Sequence, residues 1–174
     1  CPAGAAILIE KEERRTLFSK NEHLPLPPAS TTKIMTAIIV IENCAPDEIV
    51  TIPKESVGTE GSSAYLRCGE QLTVLDLLYC LMLRSANDAA VALAELICGT
   101  EGNFVAEMNK RAKELGMSNT NFENVSGLDG TTTTHLTSAE DIAIMSRELI
   151  KYDIIDAHGV VWFRHIKTRN DCKW

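Results

Sequence analysis

The sequence predicts an α+β chain with strands at its start and helices through its middle. Two short apolar runs flank a charged break before residue 20. Apolar residues then recur at helical spacing, with capping signals, between residues 30 and 151. The 174 residues are 45 % hydrophobic and 24 % charged, the balance of an ordinary globular domain.

Ala5 to Glu10 read as a buried strand, Lys11 to Arg14 as a polar break, and Thr16 to Phe18 as a second strand. Run, break and run together predict a hairpin. Pro25, Pro27 and Pro28 stiffen an extended approach, and a helix is expected to begin at Ser30, a favoured N-terminal residue type. Ile34 to Ile41 is rich in β-branched residues but reads better as a fully buried helix. A short strand is expected within Asp47 to Ile52. Thr73 opens the next helix, whose Leu75, Leu77, Leu78, Leu81 and Met82 form an apolar face. Arg84 to Asp88 make a polar break before helix resumes over Ala89 to Ile97. Phe104 to Leu115 is amphipathic and stops at Gly116. Thr137 and Glu140 match a capping box for a last helix running to about Lys151.

With 17 basic against 24 acidic residues the net charge is -7. That argues against nucleic acid as a partner and against electrostatic attachment to anionic lipid. No segment reaches the ~18–20 apolar residues of a membrane helix. The chain opens Cys1-Pro2-Ala3-Gly4 without a signal peptide, so a mature or trimmed form is expected. The six cysteines form no C-x-x-C pair, and most are expected to be small core residues; Cys1 is alternatively a lipid-bearing terminus. His23, His135, His158 and His165 are scattered, and no metal or cofactor is expected.

Two motifs carry chemistry. Ser30-Thr31-Thr32-Lys33 is an S-x-x-K at a helix start, where residues three apart are neighbours, roughly 5–6 Å between Cβ atoms. The lysine amine then reaches the serine hydroxyl, and a serine needs such a base to become a nucleophile. Lys33 serves as base only when neutral, which burial or a nearby cation favours. The Ser30 N–H is a candidate oxyanion donor. Ser85-Ala86-Asn87 is an S-x-N in a break between apolar helices. Alone, each is more simply a capping serine or an interhelical turn. Together, their order and contexts favour a catalytic pair.

Longer stretches strengthen this. Pro27 to Ala37, Gly69 to Leu78, Ser85 to Ala90, Ala112 to Met117, Asn119-Thr120, Phe122 and Gly127-Leu128 resemble the low-molecular-mass penicillin-binding D-Ala-D-Ala carboxypeptidases, over roughly residues 5–152. The resemblance implies a β-lactamase/transpeptidase-like fold, with a helical subdomain packed on an antiparallel sheet and the active site between them. It also implies that this chain is the N-terminal two-thirds of such a protein, with the sheet incomplete. Ser30 would be the acylated nucleophile, Lys33 the general base, and Ser85 the proton relay to the leaving D-alanine. Asn87 would bind the substrate backbone and hold Lys33. The substrate would be a peptidoglycan pentapeptide ending in D-Ala-D-Ala, with β-lactams as covalent inhibitors, on the extracytoplasmic side of the cell.

The family's third motif, K-T-G, binds the substrate carboxylate. Its candidates here are Lys167 and Thr168, but Arg169 stands where glycine is expected and would fill space that the substrate needs. Residues 1–155 are accordingly expected to form the catalytic domain, and residues 156–174 a divergent basic-aromatic tail. An incomplete sheet would leave an open edge suited to self-association. A class A β-lactamase relative is one alternative, although Ala86 replaces the S-D-N aspartate. A non-catalytic remnant that binds peptidoglycan or penicillin is the other.

Overall fold

The structure, a computed structural model, describes residues 2–10, 12–128 and 133–152. The tail at 156–174, with Lys167, Thr168 and Cys172, lies outside the described residues, as does Cys1. Strands β1 (Ala6–Ile9) and β2 (Thr16–Lys20) form the expected antiparallel hairpin, pairing Ala6 with Lys20 and Leu8 with Phe18. The register shifts between Leu8 and Ile9.

The first helix, α1 (Thr32–Asn43), begins two residues later than expected. Ser30 lies instead in a 3-10 turn spanning Ala29–Thr31 and makes no side-chain cap. The cause is local. Ala29 has φ 47°, a left-handed conformation that cannot enter a helix, and the Thr31 hydroxyl bonds the Pro28 carbonyl at 2.5 Å. From Thr32 onward α1 is buried nearly all round, so Ile38, Ile39 and Val40 pack as core despite their β-branched character. Burying each such side chain contributes roughly 1.5–3 kcal/mol, well above a helix-propensity cost of at most about 0.7 kcal/mol per residue.

Strand β3 (Ile49–Thr51) pairs antiparallel with β4 (Gln71–Thr73), a partner that the sequence pattern does not reveal. β4 runs straight into α2 (Val74–Leu83). Thr73 and Asp76 close a full capping box there, with the Asp76 N–H donating to Thr73 Oγ1 at 3.0 Å. Helix α3 (Asn87–Cys98) follows, then α4 (Glu101–Leu115), which ends at left-handed Gly116 as expected.

The last helix, α5 (Ala139–Leu149), starts one residue later than its expected capping box. Ser138 is the cap, accepting from the Asp141 N–H. Thr137 is occupied elsewhere: its backbone bridges to Leu26 and its hydroxyl meets Thr120 Oγ1 at 2.8 Å. Glu140 reaches out to His23 rather than back to the cap.

Helix α1 packs against α2, α3, α4 and α5, and the buried core fills the space among them. On the outer side Arg111 of α4 ties α1 to α5, bonding Glu42 at 2.6 Å and Glu148 at 3.3 Å. Of the described cysteines, Cys44, Cys80 and Cys98 are free and pack half-buried against the core, close to the expectation, whereas Cys68 is exposed in the turn before β4 and departs from it.

Candidate active site

Pro28, Ala29 and the 3-10 turn bring Ser30 to the surface at the mouth of α1. One helical turn on, Lys33 is 3 % exposed. The exposed Ser30 hydroxyl and the buried amine meet as the S-x-x-K spacing predicts: Lys33 Nζ donates to Ser30 Oγ at 3.4 Å and to the Ser126 carbonyl at 2.7 Å. Burial disfavours the charged ammonium and pulls the Lys33 pKa from 10.5 down to about 8.

Ser85 stands between α2 and α3 with φ 54°. Ala29, just before Ser30, is left-handed as well, and such strained conformations are common at functional sites. The Ser85 Oγ is buried without a protein hydrogen-bond partner among the described residues, leaving the hydroxyl available to a reacting group. A buried hydroxyl in that state costs about 1–3 kcal/mol.

Asn87 opens α3 and is 4 % exposed. The expected bond from Asn87 to Lys33 is absent among the described residues. Its Nδ2 donates instead to the Glu60 carbonyl at 2.7 Å, and its backbone N–H to the Ser62 carbonyl at 2.7 Å. The loop before β4 thereby fixes the amide with its nitrogen toward the protein. The next residue, Asp88, anchors the same loop: it accepts from Ser63 Oγ at 2.6 Å, Ala64 N–H at 3.0 Å and Leu66 N–H at 3.1 Å.

The motif spacing is silent about Asp88, although the residue adjoins the S-x-N. It is silent too about the Ser126 carbonyl, since a backbone acceptor leaves no side-chain signature. His135 is another surprise. Buried against Phe122, it accepts the Glu123 N–H at Nδ1 and meets Thr32 Oγ1 at Nε2, both at 2.9 Å. The ring therefore pins the loop after α4 beside the start of α1. The cleft of about 250 Å³ between the hairpin and α5, lined by Ile9, Arg14 and Arg147, contains none of the site residues.

The chain as a whole is similar to known proteins. The D-alanyl-D-alanine carboxypeptidase family, Peptidase_S11, matches residues 1–171, well into the tail. The carboxypeptidase DacF of Bacillus subtilis is 40 % identical over 177 residues, covering 99 % of this chain and 45 % of its own length. DacD of Escherichia coli is 35 % identical over 183 residues, with the same two coverages, 99 % and 45 %. The chain thus spans about half the length of the curated relatives it matches. Among solved structures, a D-alanyl-D-alanine carboxypeptidase from Mycobacterium tuberculosis superposes with TM-score 0.84 at 28 % identity, covering 88 % of this chain and 58 % of that one. DacD from Francisella tularensis superposes with TM-score 0.82 at 35 % identity, covering 86 % and 37 %. The match holds across family model, sequence and fold, so this chain belongs to the D-alanyl-D-alanine carboxypeptidase family.

Proposed function

We propose that this chain carries the acylation half of a serine D-Ala-D-Ala carboxypeptidase acting on peptidoglycan stem peptides outside the cytoplasm. The observation that carries the reading is Lys33: a nearly buried amine, in reach of an exposed Ser30 hydroxyl, with its pKa drawn down to about 8. Lys33 takes the Ser30 proton as Oγ attacks the carbonyl carbon of the terminal D-Ala-D-Ala bond. The C–N bond breaks, Ser85 passes a proton to the departing D-alanine amine, and water later hydrolyses the ester. Asn87, its nitrogen held by Glu60, offers Oδ1 to the substrate N–H. β-Lactams would acylate Ser30 by the same attack and remain bound.

In this reading residues 1–155 are the catalytic part and 156–174 a separate tail. Lys167 and Thr168 would do the carboxylate-binding work of a K-T-G with Arg169 against them, so turnover is expected to be weak. The hairpin, whose long edges pair with no other strand among the described residues and whose Leu8 and Phe18 are exposed, would pair with a second copy of the chain.

Release of D-alanine from a peptide ending in Lys-D-Ala-D-Ala, compared with Ser30→Ala, tests the reading. Slow release by the parent and none by the variant is expected. Equal release from both would remove Ser30 from the chemistry.

A further inference from the structure

The loop after α4 reaches Lys33 through a backbone atom, so some residue must fold that loop. Asn124 does so with its whole amide. Its Oδ1 accepts the N–H of Ser126 at 3.2 Å and of Gly127 at 2.6 Å. Its Nδ2 donates to the Leu128 carbonyl at 3.0 Å. Only one orientation of the amide satisfies all three, so oxygen and nitrogen are assigned by the contacts themselves. An asparagine binding backbone two and three residues ahead makes a tight turn of defined shape.

That turn has two products. It aims the Ser126 carbonyl at Lys33 Nζ, 2.7 Å away. It also seats Gly127, φ 78°, flat on the nucleophile's own backbone: a Cβ there would lie 1.7 Å from the Ala29 carbonyl oxygen and 2.8 Å from Thr32 Oγ1. No side chain fits, so glycine is required by space as well as by conformation. Two flanking bonds hold the turn to the core, Thr36 Oγ1 to the Val125 carbonyl at 2.8 Å and the Val125 N–H to Glu101 at 3.2 Å.

We propose that Asn124 is a positioning residue for the general base: it folds the 124–128 turn into a lid that caps the Lys33 amine and fixes the Ser30 backbone beside it. The proposal rests on the reading of Lys33 as base. Other titratable groups on the elements around Lys33 are engaged elsewhere. Asp88 of α3 holds the loop before β4, Glu101 of α4 holds Val125, Asp141 of α5 holds Asn119 and Thr120, and His135 holds Thr32 and the Glu123 N–H. Burial lowers the Lys33 pKa, and the turn lies against the amine through the Ser126 carbonyl, so opening the turn to water is expected to raise it.

The test is an NMR titration of the Lys33 Cε and Nζ resonances in the full chain, assigned by their loss in Lys33→Met. It reads the base directly, whether or not the protein turns over. Parent, Asn124→Ser and Asn124→Ala are compared, each first shown to be folded by thermal melting. A serine hydroxyl restores the turn weakly. The Lys33 midpoint should rise in the order parent, serine, alanine, by about one pH unit in the last, which leaves about tenfold less neutral amine at pH 7. The acid limb of penicillin acylation should move upward with it. If alanine prevents folding, the serine variant carries the comparison. An unchanged Lys33 midpoint in a folded variant overturns the proposal. A midpoint that moves in a chain that never acylates would uphold the control of the Lys33 amine by Asn124 and overturn the reading of that amine as a catalytic base.

Discussion

An ammonium with almost no contact with water is costly to keep charged, and Lys33 is held in that position by the packing of α1. Its pKa falls to about 8 in the folded chain, against 10.5 when solvated. The unfolded chain therefore holds more protons between those two values, and stability attributable to Lys33 rises as pH rises from about 8 toward 10.5. Below about 8 the full penalty applies. Lys33→Met removes the charge and keeps the volume. It should raise the melting temperature near pH 6, with the gain shrinking above pH 8, as a series of melts would show. The same variant should abolish acylation. A gain independent of pH would mean that burial does not set the state of this lysine. In the parent, the acylation rate should climb through about pH 8 as the amine becomes neutral.

The elements present these residues through short polar devices at their ends. The Thr73–Asp76 box starts α2, which leads to Ser85. Thr73→Ala should cost about 1 kcal/mol in chemical denaturation, the usual worth of such a cap. Asp88 at the start of α3 is the larger stake, because three donors converge on it. Asp88→Ala leaves the Ala64 and Leu66 N–H groups without their acceptor and should cost about 1–3 kcal/mol. It should also loosen the loop that orients Asn87, seen as faster tryptic cleavage at Arg67. Cleavage at the parent rate would place the loop's rigidity elsewhere. Much of this level was legible in sequence. Helical periodicity located α1 to α5, and the serine–lysine spacing found a real contact. The misplacements have local causes: left-handed Ala29 delays α1, and Thr137 is drawn to Thr120, leaving Ser138 to cap α5. β4 was hidden because it runs straight into the Thr73 cap of α2 and reads as the approach to that helix. The turn at 124–128 was hidden because its work is done by backbone atoms and one amide.

At the scale of the molecule, the helices bury a continuous core while the hairpin is, among the described residues, a two-stranded sheet with exposed Leu8, Leu17 and Phe18. Such a ribbon is marginal alone and invites pairing. Sedimentation of the 174-residue chain should show concentration-dependent association, reduced by Leu8→Lys with Phe18→Lys. A monomer at all concentrations would mean that the hairpin is shielded some other way. Mutually packed α1, α2 and α3, with the loop before β4 and the 124–128 turn, position Ser30, Lys33, Ser85 and Asn87 among the described residues. Acylation is therefore expected to survive better than turnover.

Intact-mass spectrometry after incubation with benzylpenicillin tests that expectation most directly, with Ser30→Ala as control. The account predicts one penicilloyl group on the parent, formed faster at pH 9 than at pH 7, and none on the variant. A folded parent that gains no mass, or a variant that gains the same mass, would contradict it.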